Sequence, residues 1–115
     1  MDIPENFTRM LEAVLGEHPD QALLPAERRS IAGRTAELGG GTLLRGEVPP
    51  AFAVLTDQIA RHAHRVTEDD IVALLRTGVS EEQVFEATVA AALGAGWARL
   101  EVGLRALAAS KEPPR

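Results

Sequence analysis

The 115-residue sequence contains no cysteine and no tyrosine, and aromatic residues make up only 3% of it. The absence of cysteine excludes disulfide bonds, thiolate metal sites, thiol redox relays and cysteine nucleophiles. With so few aromatic side chains, the core has to be built from leucine, valine, isoleucine and alanine, a composition that favours helices. The aromatic residues are Phe7, Phe52, Phe85 and Trp97.

The sequence also lacks an excess of basic residues and a long apolar run. Its net charge of −5 argues against binding to nucleic acid or to an anionic membrane surface. The most apolar segment, 89–98, is about half as long as a membrane-spanning helix requires. The N-terminus carries early acids, so we expect no signal peptide and a cytoplasmic protein.

Frequent alanine and arginine, with Lys111 as the only lysine, are typical of a GC-rich bacterial genome.

Apolar spacing and helix-breaking residues predict a single all-α domain over residues 1–109, a compact bundle of about five helices. Prolines mark three of the helix starts, at Pro4, Pro25 and the pair Pro49–Pro50. The glycine-rich stretch before that pair is predicted to be a loop. The tail, residues 110–115, is polar and proline-rich, and we expect it to be disordered.

Two side-chain patterns predict the starts of the last two helices. Thr67 with Asp70, and Ser80 with Gln83, have the spacing of capping boxes, in which side chain and backbone exchange hydrogen bonds. Gly78 is predicted to end the short fourth helix. The fifth helix then continues from Glu81 to about residue 109, roughly 40 Å long.

The middle of this long helix is apolar on all sides, and a small domain cannot surround such a helix by itself. Glycine inside a helix costs roughly 1 kcal/mol relative to alanine, so close packing should compensate for it. We therefore predict a homo-oligomer that assembles through the helix face formed by Val89, Ala92, Gly96 and Gly103.

The segment RHAHRVTEDD, residues 61–70, is the densest cluster of titratable groups. On a helix, His62 and His64 project about 200° apart, so they cannot chelate one metal ion, and we predict no metal site. The simplest interpretation is that a basic end of the third helix meets an acidic start of the fourth, each charge matching its helix dipole. We also expect one of the two histidines to face inward, where it could line a pocket.

Three other features bear on chemistry. The stretch GGGTLLRG lacks the lysine of a phosphate-binding loop. The acids Glu81, Glu82 and Glu86 are expected to be solvated partners of the helix dipole. Arg99 follows the apolar middle of the long helix beside Trp97, and we expect it to be partly buried with a carboxylate or carbonyl partner.

Residues 66–107 resemble the C-terminal half of the AhpD-like, or carboxymuconolactone-decarboxylase-like, family, and residues 51–65 are similar to its linking helix. The resemblance rests on a capped short helix, a leucine pair, a glycine, a second capped start and a long alanine-rich helix with a late arginine: Thr67, Asp70, Leu74, Leu75, Gly78, Ser80 and Arg99. It implies an all-helical fold that assembles as dimers, trimers or hexamers. Peroxidase members carry a Cys-x-x-Cys pair followed by a histidine, so their thiol activity does not transfer to this chain.

Two hypotheses for function follow, and neither requires a cofactor. The preferred one is a cysteine-less homo-oligomeric family member with a structural, binding or accessory role, which could hold a small-molecule ligand. The alternative is a lyase or isomerase acting on a small organic acid. In that enzyme His62 or His64 would be the catalytic base, and Arg99 or Arg61, with Trp97 nearby, would bind the carboxylate.

Overall fold

The computed structural model of the protein describes residues 4–43 and 47–111, and every regular element in these ranges is helical. The five α-helices are α1 (Glu5–Leu15), α2 (Pro25–Leu38), α3 (Ala53–His62), α4 (Glu68–Leu75) and α5 (Glu81–Ser110). Two 3-10 turns, Pro50–Phe52 and Ala63–Arg65, flank α3. The predicted all-α fold with one long C-terminal helix is confirmed.

Two predicted irregular segments fall partly outside the described residues. The loop before Pro50 is non-helical over residues 41–43 and 47–49, and residues 44–46 lie outside the description. Of the tail predicted to be disordered, Ser110 is the last residue of α5 and Lys111 forms a turn, while residues 112–115 are not described.

Both predicted capping boxes are present. Thr67 Oγ1 accepts a hydrogen bond from Asp70 N at 3.3 Å, and Asp70 Oδ2 accepts one from Thr67 N at 2.9 Å. Ser80 and Gln83 exchange the equivalent bonds at 3.1 and 2.9 Å. Between the two boxes, Gly78 has a φ of 101°, which lets the chain turn away from the end of α4. The sequence signals therefore locate these helix starts correctly.

The charges of residues 61–70 lie at two consecutive helix ends, as the simplest interpretation predicts. Arg61 and His62 occupy the last turn of α3, where carbonyl groups favour cations. Glu68, Asp69 and Asp70 occupy the first turn of α4, where amide groups favour anions. This concentration of charge stabilises helix ends and does not require a catalytic explanation.

Helix α2 lies at the centre of the bundle and makes its most extensive contact with α5. The two backbones approach closely at Gly94. A Cβ atom there would overlap Ala32 O and Thr35 Oγ1. Alanines supply much of the buried surface of α5, namely Ala87, Ala90, Ala91, Ala95 and Ala98. Small side chains are therefore what allow α5 to lie against α2.

The glycines expected to pack closely in α5 are on its other side. A Cβ added at Gly96 or Gly103 would have open space around it in the protomer. Close packing within the protomer occurs at Gly94, whereas Gly96 and Gly103 lie on the side of α5 where the interface between copies is predicted. Among the described residues, no helix combines membrane-spanning length with sufficient apolar character.

Candidate functional site

The two histidines proposed as catalytic bases lie at one end of the bundle. Helix α3 ends at His62, and His64 follows in a 3-10 turn. Both rings are solvent-exposed, with centroids 6.1 Å apart. Neither ring makes a hydrogen bond or ion pair with the residues that the structure describes. The expectation that one of them faces inward is wrong, because both rings lie exposed at the C-terminal end of α3.

The residues proposed to bind a carboxylate line no main cavity together with these histidines in the described part of the chain. Arg61 and Arg99 are exposed, and neither pairs with a group in the described ranges. The expectation of a partly buried, partnered Arg99 is wrong, since it lies on the face of α5 that points away from α2. Trp97 is half-buried against the core. None of the main cavities in the described part of the chain is lined by any of these residues.

A different site stands out in the structure: a cavity of about 400 Å³ between the C-terminal half of α1, the loop that follows it and the N-terminal half of α5. Its walls are mainly apolar and include Ala13, Val14, Leu15, Phe85, Val89 and Ala90. Phe85 remains 68% exposed at its edge. Concave, apolar spaces of this size are the usual form of small-molecule sites.

One wall of the cavity contains Arg28, which is only 3% exposed. Its Nη1 donates to Val14 O at 2.7 Å, and its Nη2 donates to Gly16 O at 2.7 Å and to Gln21 Oε1 at 2.9 Å. Its Nε donates to Leu23 O at 3.2 Å. These bonds fix the loop between α1 and α2 around a single side chain.

Glu86, from α5, completes this arrangement. Its Oε2 accepts a hydrogen bond from Ala22 N at 2.6 Å, and its Oε1 accepts one from Leu23 N at 3.0 Å. Its Oε1 also lies 3.6 Å from Arg28 Nε. Glu86 is therefore not the solvated dipole partner that the sequence suggested. The two charges compensate each other, and together they attach the loop to α5.

Sequence reasoning missed this pair for an identifiable reason. Arg28 and Arg29 are adjacent in α2, and nothing in the sequence distinguishes the buried one from the exposed one. Glu86 lies one turn beyond the acids at the start of α5, so it resembles them. Only the helix packing brings Arg28 and Glu86 together.

A second carboxylate holds the other end of α5 against the loop after α2. Glu101 accepts hydrogen bonds from Thr42 N at 3.0 Å and from Thr42 Oγ1 at 2.8 Å. Partial burial raises the pKa of the Glu101 carboxyl. The bonds from Thr42, the charge of Arg105 and the Trp97 side chain outweigh this effect and lower the pKa below its ordinary value of 4.5.

Comparisons with known proteins add no family to this description. No protein-family model matches the chain, and neither curated proteins nor solved structures gave a match.

Over residues 4–43 and 47–111, no three His, Asp or Glu side chains converge as the ligands of a metal ion would.

Proposed function

We propose that the protein is a helical homo-oligomer with a structural or binding role, and a cysteine-less relative of the AhpD-like proteins. The resemblance rests on the sequence features given above. The capped starts at Thr67 and Ser80 and the long α5 agree with what it implies. The assembly is the part of the proposal that the geometry supports best.

The observation that carries the proposal is the composition of the outward face of α5. Its exposed residues from 85 to 103 are Phe85, Thr88, Ala92, Gly96, Arg99, Val102 and Gly103. Arg99 is the only charged residue among them, over a helix length of about 27 Å. The outward face of a helix in a monomer normally carries charged and polar residues. A second copy of the chain would cover this surface.

Chemistry gives less support to the alternative enzyme. The chain has no thiol for peroxidase activity. A lyase or isomerase using His62 or His64 needs a base beside a bound acid, but both rings are exposed outside the main cavities. The geometry therefore favours the non-catalytic hypothesis.

The proposal is tested by measuring the mass of the protein in solution by light scattering. We expect the wild-type protein to have a multiple of the 12.3 kDa protomer mass. Ala92→Glu places a charge in the middle of the proposed interface, where burying it is costly, so the mass should fall to 12.3 kDa.

Ala53→Glu is the matched control, because it adds the same charge at an exposed position of α3. It should leave the mass of the assembly unchanged. A wild-type protein that stays monomeric at high concentration would overturn the proposal. If Ala92→Glu and Ala53→Glu changed the mass in solution equally, the interface would not lie at Ala92.

A further inference from the structure

We propose that the cavity between α1 and α5 binds an uncharged, apolar small molecule about the size of a two-ring aromatic hydrocarbon. The cavity lies within a single protomer, since α1, the following loop and α5 supply its walls. The walls therefore form without the assembly proposed above, and Phe85 is the wall residue that also belongs to the outward face of α5.

The volume sets the size of the ligand. An apolar cavity of roughly 150 Å³ is large enough to hold benzene. The cavity here, at about 400 Å³, is more than twice as large. It can therefore accommodate two fused aromatic rings or an aliphatic molecule of similar bulk.

The charges in the wall determine the class of ligand. Arg28 already donates four hydrogen bonds to protein oxygens, and Glu86 accepts two from backbone amides. A carboxylate ligand would find Arg28 occupied and would meet the negative charges of Glu86 and Asp20 in the lining. The remaining titratable side chain of the lining, His18, has its Nε2 at 3.4 Å from Val14 O. Burying an unpaired charge is costly, so an uncharged occupant fits this site better.

The wall is also held in place before any ligand arrives. The hydrogen bonds of Arg28 and Glu86 tie the loop over residues 16–23 to α5. Binding then requires little ordering of the backbone, which reduces its entropic cost. Phe85, exposed at the edge, offers an aromatic surface against which a ligand can pack.

Naphthalene is the probe, and 2-naphthoate is its charged counterpart. We expect naphthalene to shift the backbone amide NMR signals of Val14, Phe85 and Val89 in a saturable titration. The affinity for 2-naphthoate should be lower by about tenfold or more, because its carboxylate would leave water for a mainly apolar wall that already contains the negative charge of Glu86.

Two substitutions locate the site. Ala13→Phe fills the cavity from an exposed position on α1, so it should lower the affinity for naphthalene by about tenfold or more without disturbing the core. Ala53→Phe adds the same ring at an exposed site on α3 and should change the affinity by less than about twofold. Phe85→Ala removes a largely exposed wall residue and should weaken binding several-fold.

The outcomes separate this inference from the proposed assembly. Naphthalene binding that persists in monomeric Ala92→Glu supports a cavity within the protomer, even if the wild-type protein proves to be monomeric. Loss of binding in that variant would overturn the inference, because the site would then belong to the assembly. It would also be overturned if naphthalene bound without shifting these signals, if Ala13→Phe had no effect, or if 2-naphthoate bound equally well.

Discussion

The guanidinium of Arg28 and the carboxylate of Glu86 meet across the loop between α1 and α2, with Nε and Oε1 separated by 3.6 Å. The arginine side chain is 4% exposed and the glutamate side chain 21% exposed. Each of them also bonds to the backbone of that loop. The pair therefore joins α2, α5 and the loop between α1 and α2. It also forms part of the cavity wall.

Removing Glu86 should destabilise the fold. Glu86→Ala leaves the amides of Ala22 and Leu23 without their acceptor and Arg28 without its opposite charge. We expect the free energy of unfolding, measured with urea, to fall by about 2–4 kcal/mol. Glu82→Ala, at an exposed position in the first turn of α5, should lower it by only about 0.5 kcal/mol. Similar losses for both variants would contradict a structural role for the pair.

The close approach of α2 and α5 predicts opposite effects for two glycines in one helix. Gly94→Ala introduces a methyl group that overlaps Ala32 O and Thr35 Oγ1, so it should lower the free energy of unfolding by about 1–3 kcal/mol or more. Gly96→Ala meets open space and should raise it by up to about 1 kcal/mol through helix propensity. Both are measured by urea unfolding at concentrations that keep the chain monomeric. Equal effects would show that the helices do not cross at Gly94.

The lowered pKa of Glu101 predicts a dependence of stability on pH. A carboxyl group whose pKa is lower in the folded state than in the unfolded state stabilises the folded protein. For Glu101 this contribution is present at pH values above the ordinary glutamate pKa of 4.5. That contribution disappears as the pH falls through the folded-state pKa. Glu101→Gln should therefore be less stable than wild type at pH 7, by about 1–2 kcal/mol, with the difference shrinking below about pH 4.5.

Urea unfolding across this pH range provides the measurement for Glu101. Thr42→Val removes one of the two hydrogen-bond donors to the carboxylate and should give an intermediate profile. A constant difference between wild type and Glu101→Gln at every pH would rule out the proposed origin of the shift.

Two buried threonines should respond differently to the loss of their hydroxyl groups. Thr56 is 1% exposed, and its Oγ1 has no hydrogen-bond partner among the residues described. Thr56→Val should raise the free energy of unfolding by about 1 kcal/mol, because an unsatisfied buried hydroxyl is costly. Thr35 Oγ1 donates to Ala32 O at 3.1 Å, so Thr35→Val should lower the same quantity by about 1 kcal/mol. A loss of stability in Thr56→Val would indicate that its hydroxyl is satisfied.

The helix starts could be predicted from the sequence because their causes are local. The Thr67–Asp70 and Ser80–Gln83 pairs need only a spacing of three residues to satisfy the free amides of a first turn. Pro25 fixes the backbone angle of the first residue of α2 in the same local way. The five-helix fold follows from signals of this kind.

The candidate site could not be predicted, because it depends on which faces of the helices meet. The sequence pointed to Arg99 as a partly buried arginine, whereas Arg28 is the buried one. It gave no sign that Gly94 is a glycine of α5 that packs closely against α2. Both positions depend on the crossing of α2 and α5, which selects one face of each helix for burial.

One side chain of α2, that of Arg28, holds the C-terminal end of α1 in place. Only Leu11 and Leu15 of α1 are buried, and Arg28 holds its C-terminal end through Val14 O and Gly16 O. Such a lightly anchored segment is expected to open as a separate cooperative region while α2 and α5 stay folded. Amide hydrogen exchange should then be faster throughout α1 than in the buried turns of α5. These brief openings would let a molecule enter or leave the neighbouring cavity, whose wall is held in place by Arg28 and Glu86 for the rest of the time.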